Sequence, residues 1–388
     1  MPRQVLPLLA VVAALLAVNG ALATLLPLRW TRAGVPLDTI AALAACVYAG
    51  GLLGALAGGR VIARLGCRQS FVALVTAFAL ANGASLWAEG AALRGLARLA
   101  AGAALSGLYL LIESRLNAIA TPEQRDQILS SYMIVLYLAQ AAGSACAGLG
   151  ADTVLVAAIA LILASQLGRG SFPSAPAARP LPAPGRSRAD LTRLLTLSPD
   201  GYAIGLAAGV HMGCFYGLGP LFAERALADA TLAGAFMAFA MIGGVAGLVA
   251  TAKVSDRIGA RATMTSASLA AGAAALAMAA MMHGGSAGLL VLSAAFGAPA
   301  FCLYSLGSAS VNAAVPAQLR VQANALYIVA TGIGGTLGPL AAQTLLGVID
   351  RRAPFVVIAG ATLGAGLLVL LRGRGRTGAR TRQPCLSA

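Results

Sequence analysis

The chain of 388 residues is 59% hydrophobic and only 10% charged, against about 25% charged residues in a soluble globular protein. Its apolar residues run in long blocks, not in the short alternating runs of a sheet protein, which excludes a soluble enzyme, a disordered chain and a β-barrel. The net charge of +15, from 27 basic and 12 acidic residues, sits in short gaps between those blocks, so membrane orientation accounts for it better than a nucleic-acid partner.

In chain order, the first element is an apolar run near residues 5–26. Arg3 and the later Ala21-Leu22-Ala23 imitate a secretory signal with its cleavage site. Apolar sequence nevertheless continues through Leu25, Leu26 and Leu28, and more such runs follow, so this segment is predicted as the first membrane helix. A spanning helix needs about 20 mostly apolar residues. Breaks at charge, Pro and Gly clusters predict five further spans near 38–58, 69–88, 95–116, 129–150 and 153–168. Next, Pro173, Pro176, Pro180, Pro182 and Pro184 mix with Arg179, Arg186, Arg188 and Arg193, a composition expected of a solvated linker. Six more spans follow near 201–223, 232–252, 263–282, 288–312, 323–347 and 354–371. The expected organisation is an all-α membrane protein of twelve transmembrane helices. A six-helix bundle covers 1–168, a cytoplasmic linker 169–200, a second six-helix bundle 201–371 and a basic cytoplasmic tail 372–388.

With the N-terminus inside, 20 basic residues fall on the cytoplasmic side and 7 on the other. The positive-inside rule therefore predicts both termini in the cytoplasm. Only one lysine is present, Lys253, and the residues before it do not form the Gly-x-x-x-x-Gly-Lys phosphate loop of an ATPase. Six cysteines without C-x-x-C spacing, and the two distant histidines His211 and His283, point to no metal or redox cofactor.

The two sets of helices repeat. Gly59-Arg60-Val61-Ile62-Ala63-Arg64-Leu65-Gly66-Cys67-Arg68 matches Ala252-Lys253-Val254-Ser255-Asp256-Arg257-Ile258-Gly259-Ala260-Arg261 at an offset of 193. An offset of 195 then aligns Tyr109 with Tyr304, Asn117 with Asn312, Arg125 with Arg320, Tyr132 with Tyr327 and Gly143 with Gly338. Parallel six-helix repeats imply a substrate site between them near the midplane, worked by alternating access.

The paired loops resemble the Gly-x-Leu-Ala-Asp-Arg-x-Gly-Arg-Arg signature of the major facilitator superfamily. The second copy keeps the acid as Asp256, while Ala63 stands at that place in the first. Arg98-Leu99-Ala100-Ala101-Gly102 is similar to the family's Arg-x-x-x-Gly motif, whereas Gly143-Ser144-Ala145-Cys146-Ala147-Gly148 lacks the proline of its antiporter motif. Leu25-Leu26-Pro27-Leu28-Arg29, Ile112-Glu113-Ser114-Arg115-Leu116-Asn117, Tyr216-Gly217-Leu218-Gly219-Pro220 and Ser255-Asp256-Arg257 resemble the YcaD-like branch. The resemblance implies a major facilitator fold in which helices 1, 4, 7 and 10 line a cavity. It names no cargo.

In the loop motif, Gly59, Gly66 and Gly259 suit tight turns and close approach, and Arg64, Arg68, Asp256, Arg257 and Arg261 suit contacts that gate the cytoplasmic side, or else only orient the chain. Glu113 shares a helix face with Tyr109 and Asn117. It is either a proton carrier or a structural ion pair with Arg64, Arg68 or Arg115. Arg98 either binds an anion or snorkels to the headgroups. Arg98 and Glu113 are thus candidates for a coupling or gate ion pair, though not with each other, being 15 residues apart, about 22 Å along a helix. Candidate cavity residues are Asn19, Tyr109, Tyr132, Gln140, His211, Tyr216, Tyr304 and Tyr327, the alternative being interhelical hydrogen bonding. No Ser/His/Asp set or paired acids suggest an enzyme.

These features predict a monomeric, multi-pass secondary transporter in a bacterial inner membrane. The expected activity is proton-coupled export of a small organic or amphipathic molecule. The alternatives are uptake of a small metabolite, or a sensor or scaffold that kept the fold and lost transport, for which the missing acid at Ala63 speaks.

Overall fold

A computed structural model describes residues 4–121, 123–146, 158, 162, 165–173, 188–283 and 285–380. Among these residues every regular element is helical. The first set comprises α1 (Val5–Arg32), α2 (Leu37–Leu65), α3 (Cys67–Trp87), α4 (Ala91–Ile119) and α5 (Arg125–Ala145). After a short helix α6 (Arg188–Leu197) come α7 (Pro199–Leu227), α8 (Ala230–Ile258) and α9 (Ala260–Ala280). The chain continues through α10 (Ser286–Ala300), α11 (Cys302–Ala314), α12 (Arg320–Ile349) and α13 (Ala353–Arg380). The long helices reach 28 to 30 residues, about 43 Å at 1.5 Å per residue, so they cross a hydrocarbon layer of about 30 Å with a turn or so to spare at each end.

Eleven of the twelve expected spans have a helical counterpart among the described residues; the span near 153–168 lies mostly outside them. Three boundaries differ from expectation. The tenth span is interrupted at Phe301, two residues beyond Pro299, which has no amide hydrogen to continue the ladder. The stretch expected to be solvated linker contains α6, whose Leu194 is buried against Tyr202, Val311 and Val315. Leucines at 191, 194 and 195 give α6 an apolar stripe at helical spacing. The linker prolines from Pro176 to Pro184 are outside the described residues, as are 381–388, and α13 carries the chain helically through Arg380, well into the expected tail.

The repeat is visible in three dimensions. α2 and α3 are joined through Gly66 at φ +79°, α8 and α9 through Gly259 at φ +83°, a backbone region that side chains resist. α2 packs on α4 as α8 packs on α10, with helices so close that a Cβ on Gly50 or Gly54 would strike the Leu99 or Ala103 carbonyl. A Cβ on Gly243 or Gly247 would likewise strike the Ala294 or Ala298 carbonyl. These pairs stand at the same offsets, 193 and 195, as the sequence repeat. α1 lies on α5 and α7 on α12, and the two halves meet where α2 faces α12 and α5 faces α8.

That contact is tight at one end only. Toward the face opposite the glycine turns, Ala44 abuts Gly217, Tyr48 abuts Gly335 and Leu52 abuts Gly332. At the rim of that face Arg32 of α1 pairs with Glu224 of α7 at 3.3 Å. At the glycine-turn face, Leu65, Val254 and Ile258 at the ends of α2 and α8 are exposed.

Candidate functional site

Between the halves lies a cavity of about 350 Å3, lined by α1, α2, α4 and α5 from the first half and by α7, α11 and α12 from the second. Glu113 and Ile328, both on its wall, are solvent-exposed. With the halves closed at the other end, the cavity opens toward the glycine-turn face. A second space of about 580 Å3, around Arg225, Asp350 and Arg352, belongs to the second half alone and does not lie between the halves.

Asn19, Tyr109, Tyr132, Gln140, Tyr216 and Tyr304 all line the central cavity. Two bonds in its wall join the halves: the Tyr216 hydroxyl donates to Gln140 Oε1 at 3.3 Å, and the Tyr137 hydroxyl to the Phe301 carbonyl at 3.4 Å. The latter ends at the interruption between α10 and α11. His211 and Tyr327 lie elsewhere. His211 is fully buried in the second half, its ring 4.9 to 5.7 Å from those of Phe215, Phe296 and Phe301, with no hydrogen-bond partner on either nitrogen among the described residues. Tyr327 turns into its own half, where its hydroxyl donates to the Tyr304 carbonyl at 2.7 Å.

The two charged candidates sit at opposite ends of the cavity wall. Glu113 is six residues from the end of α4, about 9 Å inside it. Its Oε1 accepts from the Tyr132 hydroxyl at 3.0 Å, and it makes no ion pair among the described residues. Arg115, one of its expected partners, instead donates from Nε to the Ser171 carbonyl at 3.0 Å. Arg98 is seven residues from the other end of α4, about 10 Å inside it. Its guanidinium donates to Asn82 Oδ1 of α3 at 3.2 Å and faces the cavity.

The loop-motif residues are not gathered into one cluster. Arg64, Asp256 and Arg257 are exposed, without an ion pair among the described residues. Arg261 pairs with Asp200 at the start of α7 at 2.8 Å and donates to the Val369 carbonyl of α13. Arg372 approaches the same carboxylate at 3.7 Å. This network braces the second half internally. Gly59 and Arg68 lie at the ends of α2 and α3 beside the Gly66 turn.

Cavity residues that sequence reasoning missed are Trp30, Tyr48, Ser106, Tyr137 and Thr331. Tyr48 and Tyr137 are polar aromatics within apolar spans, as the chosen residues are. Looking first to helices 1, 4, 7 and 10 passed over α2, which supplies a whole wall because it closes against α12.

A family model described as Major Facilitator Superfamily matches residues 8–301 and 202–384. The chain belongs to the major facilitator superfamily. Among its relatives, an uncharacterized MFS-type transporter of Yersinia enterocolitica is 27% identical over 361 residues, 90% of each chain. The MFS-type transporter YcaD of Salmonella newport, also uncharacterized, is 25% identical over 396 residues, 97% of each. Among solved structures, the nucleoside transporter NupG superposes with a TM-score of 0.76 at 16% identity, covering 96% of this chain and 99% of that one. The D-xylose-proton symporter gives 0.73 at 13%, covering 94% and 96%. The major facilitator fold and the resemblance to YcaD are thereby shown, and the chain is a multi-pass membrane protein of a transporter family, not of an enzyme family. A cavity between the halves, open to one face, is the feature by which such a fold passes a small molecule.

Proposed function

We propose that the chain is a secondary active transporter of the bacterial inner membrane, working as a monomer by alternating access and exporting a small organic or amphipathic molecule in exchange for protons. The surplus of arginines at the glycine-turn face supports placing that face, and both termini, in the cytoplasm. The cavity is then open inward, ready to load from the cytoplasm. In this reading the two six-helix bundles rock about the α2–α12 and α5–α8 contacts. Arg64 of the first half and the adjacent Asp256 and Arg257 of the second, not paired across the halves here, come together only when the cytoplasmic end closes.

The observation that carries proton coupling is Glu113. An ionisable group inside a spanning helix is costly and usually functional. This one is reachable by solvent through the cavity, is held by a tyrosine hydroxyl and has no cation to neutralise it among the described residues. Such a carboxyl can take up and release a proton as the cavity changes sides. The second half carries Ser308 at the equivalent place, so one acid serves the whole cycle.

The test is internal pH in proteoliposomes holding an imposed proton gradient while candidate organic compounds are added, for wild type and Glu113→Gln. The expected result is that a compound collapses the gradient with wild type at least tenfold faster than with the variant, both proteins running as folded monomers in gel filtration. Equal rates would remove Glu113 from coupling. Movement of a labelled compound without protons would replace exchange by uniport.

A further inference from the structure

The Arg98 end of the cavity shows an imbalance that proton coupling leaves unexplained. A guanidinium inside the bilayer is costly unless it is paired, and Arg98 has no carboxylate partner among the described residues. Its acceptor is the amide of Asn82, itself fixed by donation from Nδ2 to the Phe78 carbonyl at 2.9 Å. Asn82 thus aims the guanidinium without cancelling its charge. Glu113 cannot cancel it either, being fifteen residues along the same helix, about 22 Å away. The residues of α2 that line the cavity with Arg98, Val47 and Tyr48 among them, include no carboxylate. Snorkelling does not account for the side chain, because it faces the cavity and α3.

The remaining wall is unusual in another respect. Six of the eight tyrosines of the chain line this one space: Tyr48, Tyr109, Tyr132, Tyr137, Tyr216 and Tyr304. Trp30 adds an indole at the closed end. Tyrosine offers a flat apolar face with a polar edge, and ring pairs gain beyond their area burial when stacked or edge-on. At about 350 Å3 the space is at the small end of ligand pockets, so it suits a compound of one or two rings. A planar guanidinium pairs with a carboxylate through two parallel hydrogen bonds.

We propose that the cargo is a small aromatic carboxylate, its anionic group on Arg98 and its ring among the tyrosines beyond. This rests on the transport reading and names the substrate class of the same cavity. It assigns Arg98 as the anion-binding residue and Asn82 as the residue that positions it. The bound anion supplies the countercharge that the protein withholds, so the loaded carrier closes over a neutral pair while the empty one closes over a bare cation.

The experiment is direct binding to the full-length protein in detergent. The reporter is quenching of Trp30 fluorescence in a Trp87→Phe background, which leaves one of the two tryptophans of the chain. The probes are 2-naphthoate, its neutral isostere 2-naphthamide and, by displacement of naphthoate, cyclohexanecarboxylate. Naphthoate is expected to bind at least tenfold more tightly than either of the others. Arg98→Gln should bring naphthoate down to the level of the amide, and Arg98→Lys should restore part of the difference. Equal binding of naphthoate and naphthamide to wild type overturns the anion site, and that comparison needs no variant to fold. Cyclohexanecarboxylate matching naphthoate overturns the aromatic half, and absence of binding by all three overturns the proposal outright. Binding is read without transport, so a naphthoate preference with no proton movement in vesicles would count against proton coupling and leave this inference standing.

Discussion

Asp229 shows how a single side chain sets the start of a membrane helix. It stands just outside the bilayer-spanning part of α8, and its carboxylate accepts from the amides of Thr231 at 2.6 Å and Leu232 at 3.3 Å. These backbone hydrogen bonds hold its carboxyl below the ordinary value, because they favour the charged form. A carboxyl depressed in the folded state contributes stability above its unfolded pKa of about 3.9 and loses it as pH falls through the folded value. Thermal melts in detergent between pH 6 and pH 3 should therefore show a small acid-dependent loss in wild type, and a smaller one in Asp229→Asn, whose amide still caps. Identical slopes would remove Asp229 from the acid response. This cap is readable as a sequence signal, an acid before an apolar run, and so is Glu113 as an acid within one. Tyr132 is different: its match with Tyr327 predicts equal roles, yet one hydroxyl goes to the Glu113 carboxylate and the other to the Tyr304 carbonyl. The repeat places both rings, but the side chain opposite, Glu113 or Ser308, decides what each hydroxyl meets.

Element packing follows the glycines. Gly54 meets the Ala103 carbonyl and Gly247 meets the Ala298 carbonyl, one pair in each half. A larger side chain must push α2 off α4, or α8 off α10, and overpacking of this kind typically costs about 1–3 kcal/mol. Gly54→Leu and Gly247→Leu should each lower the melting temperature in detergent by several degrees and reduce the yield of monodisperse protein. Gly360→Ala, where nothing lies within 4 Å, should leave both unchanged. An unaffected Gly54→Leu would mean that the helices are not held this close. Contacts of this kind are legible in a sequence, because glycines repeating at 193 positions, as Gly54 and Gly247 do, are a pattern in one dimension. The interruption at Phe301 is not. Pro299 marks a weakness in the helix, but whether it bends, breaks or stays straight depends on neighbours such as Tyr137, which caps the Phe301 carbonyl from the other half. The helix α6 escaped for a related reason, since Leu194 is buried only because Tyr202 and Val311 are there to receive it.

For the whole molecule, the question is what keeps the closed end closed. Apolar contact of α2 with α12 does most of this, through Tyr48 on Gly335 and Leu52 on Gly332. At the rim, Glu224 is shared between Arg32 of the first half, at 3.3 Å, and Arg351 of its own half, at 3.5 Å. The arrangement is a choice of partner: the carboxylate holds Arg32 only while the halves are together, and Arg351 keeps it satisfied when they part. Because Arg32 is 61% exposed, screening limits the cross-half pair to about 0–1 kcal/mol. Near 25 °C, 1.4 kcal/mol is a factor of ten in an equilibrium, so the pair biases the two conformations by at most about fivefold. Glu224→Gln should thus enlarge the population open at this face by a few-fold without unfolding the protein. Electron–electron distances between labels on Asp38→Cys and Val348→Cys, in a chain with its own cysteines replaced, would read that population directly. The expected result is a longer-distance peak that grows in Glu224→Gln and in Arg32→Gln alike, and that also grows in wild type at high salt, where an exposed ion pair is screened. If Arg32→Gln leaves the distribution as it was, the apolar contacts alone hold the face shut and the ion pair only decorates its rim.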